Sequence, residues 1–125
     1  DQHNLPVDLP GYIDREKLFK LYQNSKILLF PTENDVWGMS AQEALNCGVP
    51  VIATPFCGII NDYLVHESNG FILPPDASAW TEKIHSLLKD QGVYNTFAQN
   101  ARSASIGITL ETETEKFVKL VQGLQ

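Results

Sequence analysis

The sequence predicts an α/β domain built on a parallel sheet, and three observations carry that prediction. Short apolar runs at 26–30, 50–53 and 71–73 read as buried strands. Stretches of helical periodicity separate these runs, as parallel pairing requires. Beyond Gly92 the pattern turns all-helical, which gives the domain a helical carboxyl end.

The elements follow in chain order. Residues 1–10 are polar and interrupted by proline, with no capping box and no apolar period, and read as a cut end. Asp14 caps a helix running to about Tyr22, with Leu18, Leu21 and Tyr22 on one face. Lys26 to Phe30 is a strand stopped by Pro31, and 32–37 is a loop. Gly38 opens a helix carrying Met39, Ala41, Ala44 and Leu45, which ends at Gly48. Pro50 to Ala53 is the second buried strand. Gly58 to Val65 reads as a short helix with Ile59, Ile60, Tyr63 and Leu64 inward. An Asn69-Gly70 turn leads into a third strand, Phe71 to Leu73, closed by Pro74-Pro75. Asp76 or Ser78 caps a helix with Trp80, Ile84, Leu87 and Leu88. Val93, Phe97 and Ala101 fall at i, i+4, i+8. Thr112-x-x-Glu115 is a capping box ahead of the stripe Phe117, Leu120, Val121 and Leu124.

Composition narrows the function classes. A chain of 125 residues holds one domain, and 43% hydrophobic residues supply an ordinary core. Nine Lys plus Arg stand against fifteen Asp plus Glu, a net charge of −6, with no cationic cluster to track a phosphate backbone; nucleic acid is excluded as the expected partner. No apolar run approaches a membrane span, and no secretory leader opens the chain. Two cysteines ten apart, Cys47 and Cys57, with no C-x-x-C and no histidine pair nearby, match no zinc pattern, so no metal site is expected. Cys47 reads as a small buried hydrophobe, while Cys57 sits in a loop after a strand, where it could touch a ligand. The absence of a disulfide framework points to a reducing cytoplasm. His3, His66 and His85 share no ligand spacing and read as structural or solvated.

One stretch has the chemistry of a site. Residues 31–45 run from the carboxyl end of a strand, through a loop, into a helix. In open parallel sheets ligands bind there. The helix start offers unpaired N–H groups and a positive dipole end suited to phosphate. Gly38 lacks a side chain, so a ligand can approach the backbone. Asp35 precedes the helix and Glu43 lies more than a turn inside it, so both carboxylates can reach one cleft. Carboxylates repel phosphate but accept hydrogen bonds from vicinal hydroxyls. A nucleotide-sugar, with its ribose diol, diphosphate and sugar, fits such an arrangement. Ordinary solvated or capping acids fit the spacing as well.

The run Asp35-x-Trp37-Gly38-x4-Glu43-Ala44-Leu45-x-Cys47-Gly48-x-Pro50-Val51-Ile52-Ala53 resembles the donor-binding motif of retaining glycosyltransferases of family 4, which have the GT-B fold. That motif is usually written E-x7-E and followed by EA-x-x-x-G-x-PV. The flanks agree: Gly11-Tyr12-Ile13 before Arg15 to Leu18, the strand leading to Pro31-Thr32, Gly58 after the second strand, and Glu67-Ser68-Asn69-Gly70-Phe71-Ile72. The likeness covers roughly residues 11–90 in order. It implies a Rossmann-like partial GT-B C-terminal domain over 1–125, with the donor-phosphate Arg and Lys and the acceptor domain lying upstream, in cis. One departure stands inside the motif: its first acid is Asp35, one methylene shorter than Glu. Glu33, the rival, is two residues too far from Glu43.

The resemblance implies these roles. Glu43 holds ribose hydroxyls and Asp35 contacts donor-sugar hydroxyls near the reacting carbon. Trp37, Gly38 and Met39 supply loop and backbone N–H groups around sugar and diphosphate, with packing as the plainer role for Trp37. Gly58 lines the cleft wall. It further implies hexose transfer with retention from a UDP-, GDP- or ADP-sugar, with no cofactor and no tightly bound metal, to a glycan or lipid acceptor, by an enzyme that can sit at a membrane periphery. An isolated piece is expected to be inactive and to pair through an open sheet edge. A GT-B epimerase or phosphorylase and a non-catalytic nucleotide-sugar-binding module are the rival readings. A phosphoacceptor receiver domain is disfavoured, because its acidic pair at the first strand end is missing.

Overall fold

The structure, a computed structural model, describes residues 6–104 and 110–123, without the side chains of 110–113, 116 and 117. Three parallel strands, β1 (Leu28–Phe30), β2 (Val51–Ala53) and β3 (Gly70–Ile72), lie in the order β1-β2-β3. Helices α1 (Arg15–Asn24) and α2 (Met39–Asn46) flank β1 in the chain. After β3 come α3 (Ala77–Lys89), α4 (Gln91–Ala104) and α5 (Leu110–Gly123). The α/β class, the parallel sheet and the helical carboxyl end stand as the sequence predicts. No described helix is long and apolar enough to cross a membrane.

Strand register explains the two cores. Leu29 pairs with Ile52, and Ile52 with Phe71, so these three share one face. On that face Ile52 and Phe71 pack with Trp80 and Leu87 of α3. The opposite face carries Val51 and Ala53, packed with Tyr22 of α1 and with Ala41, Ala44 and Leu45 of α2. Covering both faces is what lets a short parallel sheet read as continuous apolar runs. Gly70 is a necessity of this packing, because a Cβ there would stand 2.0 Å from the Val51 carbonyl oxygen.

Caps set the helix limits. Asp14 accepts from the Lys17 amide at 2.9 Å, and Asp76, not Ser78, accepts from the Ala79 amide at 2.7 Å. Helix α2 ends in a Schellman motif. Gly48 has φ of +76° and donates to the Leu45 carbonyl at 2.8 Å, while Val49 donates to the Ala44 carbonyl at 2.9 Å.

Several expectations change. Residues 58–65 form turns, not a helix. Both Tyr63 and Leu64 donate to the Ile59 carbonyl, and Asn61 at φ 68° breaks helical continuation. The inward set is still right, with Ile59, Tyr63 and Leu64 buried and Ile60 partly so. Strand β1 is half-open, because it is an edge and Leu29 is 46% exposed. Leu21, Leu88 and Val93 point outward. Gly70 begins β3, and the turn before it occupies 67–69. Thr112 lies inside α5 and so is no N-cap. Leu120 and Val121 are exposed, whereas Leu124 and the Phe117 side chain fall outside the described residues.

Candidate functional site at the start of the second helix

The loop between β1 and α2 is held from below by the loop after β2. Asp35 bridges Cys57, with the Asp35 amide donating to the Phe56 carbonyl at 2.9 Å. Two residues on, the Ile59 amide donates to the Trp37 carbonyl at 2.9 Å. These ladder-like bonds place Asp35, Trp37 and Gly38 past the carboxyl ends of β1 and β2, the expected ligand edge of such a sheet. Gly58 makes the approach possible, since a Cβ on it would lie 2.1 Å from the Val36 carbonyl oxygen. Gly58, which the resemblance puts on the cleft wall, has this packing role in the structure.

Asp35 is partly buried and makes an Asx-type turn, accepting from the Trp37 amide at 2.9 Å through Oδ1. The bond occupies one of the carboxylate's roughly four lone-pair sites. It also takes the Trp37 N–H, which is thereby committed inside the loop and not offered outward. The Trp37 indole donates from Nε1 to Gln42 Oε1 at 2.7 Å and meets Tyr63 edge-on at 5.5 Å between centroids. These contacts give the tryptophan a packing and loop-shaping role.

Gly38 is the N-cap of α2, at φ 98° in the left-handed region, and no side chain caps the helix. The direction a Cβ would take faces Phe30, Cys57 and Ile59 at 3.5–3.6 Å. The glycine is thus demanded by its left-handed backbone conformation, and a Cβ there would make only ordinary contacts with these side chains. No side chain caps the first turn of α2, and Met39 beside it is 61% exposed.

Glu43 sits in the second turn of α2, about 7.5 Å along the axis from Gly38 at 1.5 Å per residue. It is partly buried against α1, where the Tyr22 hydroxyl donates to Oε2 at 3.4 Å. The two acids have separate partners. Asp35 is fixed by its own loop and Glu43 by the neighbouring helix.

Burial, then Glu43, raises the Tyr22 hydroxyl above its ordinary pKa, while a Ser40 hydrogen bond pulls the other way. Burial first and Asp35 second push up the Cys57 thiol; burial first and Glu43 second push up that of Cys47. Both cysteines stay protonated and unreactive near neutrality. His66 accepts the Ile72 amide at Nδ1 at 2.9 Å, the structural role expected of it. Tyr22, Ser40 and Gln42 are the neighbours sequence reasoning missed. Ser40 and Glu43 at i, i+3 was the one legible hint; Tyr22 looked like stripe only.

Residues 2–104 match the family of glycosyl transferases group 1. The chain is 31% identical over 94 residues to a D-inositol 3-phosphate glycosyltransferase of Xylanimonas cellulosilytica, covering 74% of this chain and 22% of that protein. It is 37% identical over 82 residues to the capsular polysaccharide biosynthesis glycosyltransferase CapM of Staphylococcus aureus, covering 65% of this chain and 21% of the relative. A sucrose-phosphate synthase structure from Thermosynechococcus elongatus superposes with a TM-score of 0.74 at 29% identity, covering 91% of this chain and 29% of the other. The sheet with its flanking helices is that of a GT-B C-terminal domain. The chain thus spans about a fifth to a quarter of the curated relatives it matches.

Proposed function

The chain belongs to the glycosyl transferases group 1 family, and on that premise we propose that it forms the donor-binding part of a hexosyltransferase that acts with retention. The donor is a nucleoside-diphosphate sugar. Glu43 holds the ribose hydroxyls, and Asp35 holds hydroxyls of the donor sugar close to the reacting carbon. The diphosphate lies at the uncapped start of α2, where backbone N–H groups and the helix dipole favour it.

The observation that carries this reading is the fixed loop–helix junction. Asp35 is locked by the Trp37 amide past the strand ends, directly ahead of a helix start that no side chain caps. Carboxylates on either flank accept hydroxyls, and the positive helix end between them accepts the anion.

No Lys or Arg lies within 31–45. A leaving nucleoside diphosphate is stabilised by donors and cations aimed at it, so in this reading transfer draws on basic groups from outside this segment, and the isolated chain is expected not to catalyse. In this reading those groups, and the acceptor domain, lie upstream in cis.

The test uses the full-length protein with labelled UDP-, GDP- and ADP-hexoses and analysis of the product anomer. A transferred sugar with its configuration kept is expected. Asp35→Ala and Glu43→Ala should each lower turnover by at least about tenfold, roughly 1.4 kcal/mol. Release of an epimer or a sugar phosphate, or full turnover in both variants, overturns the reading.

A further inference from the structure

We propose that Tyr22 is a positioning residue for the donor, aiming the Glu43 carboxylate at the ribose; the proposal rests on the role given to Glu43 above. The side chain of Tyr22 is 7% exposed and reaches α2 from α1, 21 positions away in the chain. Its hydroxyl donates to Glu43 Oε2 at 3.4 Å. A glutamate has three rotatable bonds, so a carboxylate on a helix surface samples many positions unless something holds it. A neutral donor on one carboxylate oxygen removes part of that freedom without cancelling the charge. The other oxygen stays available to accept from a diol.

The tyrosine also has an obvious packing task. Its ring meets Phe19 edge-on at 6.4 Å and belongs to the core under α2. Phenylalanine preserves that task and removes only the hydroxyl. Burial holds the phenol protonated well into the alkaline range, so the donor persists across the working pH of an enzyme. A cation in its place would neutralise Glu43, and an acid would repel it. Tyrosine is the residue type that orients the carboxylate while leaving it charged.

The experiment measures binding of UDP, GDP and ADP, and of their 2′-deoxy counterparts, to the full-length protein by calorimetry. Wild type, Tyr22→Phe, Glu43→Gln and the double variant are compared, and thermal melting is recorded for each. For the nucleotide that binds, wild type should favour the ribose form. Tyr22→Phe should melt close to wild type and lose about threefold to tenfold of that preference, the net scale of one ordinary hydrogen bond, as suits a 3.4 Å contact. In the Glu43→Gln background, Tyr22→Phe should change the preference no further. A merely structural tyrosine would lower melting and weaken both nucleotide forms alike. An unchanged preference in Tyr22→Phe, with the preference lost in Glu43→Gln, overturns the proposal and leaves the assignment of Glu43 standing. An unchanged preference in Glu43→Gln overturns both.

Discussion

The Trp37 amide donates to Asp35 Oδ1 at 2.9 Å, so the acid is tied to the backbone of the loop that starts α2. An Asx turn of this kind needs a short side chain. The aspartate at this place in the motif is therefore built into the loop, and is more than a shortened glutamate. Installing the usual acid of the E-x7-E pattern, Asp35→Glu, should carry the carboxylate past the amide and free the loop. We expect kcat/KM of the full-length protein to fall at least about tenfold, near 1.4 kcal/mol. Equal or higher activity would show that reach, and not the turn, sets the site.

Gly58 and Val36 make the second constraint. The 2.1 Å approach that a Cβ would have to the Val36 carbonyl oxygen involves backbone on the opposing side, which cannot rotate away. Gly58→Ala should push the two loops apart and lower stability by about 1–3 kcal/mol, the usual scale of overpacking. Donor binding should weaken with it. A melting temperature within error of wild type would refute the close packing.

Asn69 is 2% exposed and serves two backbone groups, donating to the Tyr63 carbonyl at 2.7 Å and accepting from the Val65 amide at 2.9 Å. It closes the turns of 58–69 in place of a regular helix. Asn69→Ala leaves both groups without that partner, and a loss of about 1–3 kcal/mol is expected in chemical denaturation. A neutral result would mean that the 63–65 backbone finds other partners.

The Asp14 cap makes α1 sensitive to acid. Hydrogen bonding to the Lys17 amide first, and to its side chain second, lowers the Asp14 pKa from its ordinary 3.8. A depressed folded pKa contributes stability that is complete above the unfolded value. That contribution is lost as pH falls below 3.8 and through the folded value. Asp14→Asn should flatten this part of the stability–pH curve while keeping a capping oxygen. A variant curve that parallels wild type at low pH would remove the cap from the acid response.

Strand β1 is an edge among the described residues, and its central residue, Leu29, is 46% exposed. The isolated chain should self-associate through this edge as concentration rises. Light scattering after size-exclusion chromatography measures it. A monomer at every concentration, or association unchanged in Leu29→Lys, counts against the edge.

Much of this molecule was legible residue by residue. The strand runs, the Asp14 and Asp76 caps, the Gly48 stop and the loop–helix junction with Asp35 and Gly38 each depend on neighbours a few positions away. So does the family pattern, which is a spacing. The helix expected over 58–65 failed for a related reason. Its apolar spacing suits a helix, but Asn61 takes a left-handed conformation that side-chain pattern does not encode.

The sequence by itself determined the class, the parallel strands and the family. Tertiary structure alone decided what holds Glu43. It brought Tyr22 across 21 positions to Glu43 and set the Gly58 backbone under Val36. The reason is physical: periodicity and capping are local free energies, whereas these contacts exist only once two separate segments pack on the same sheet face.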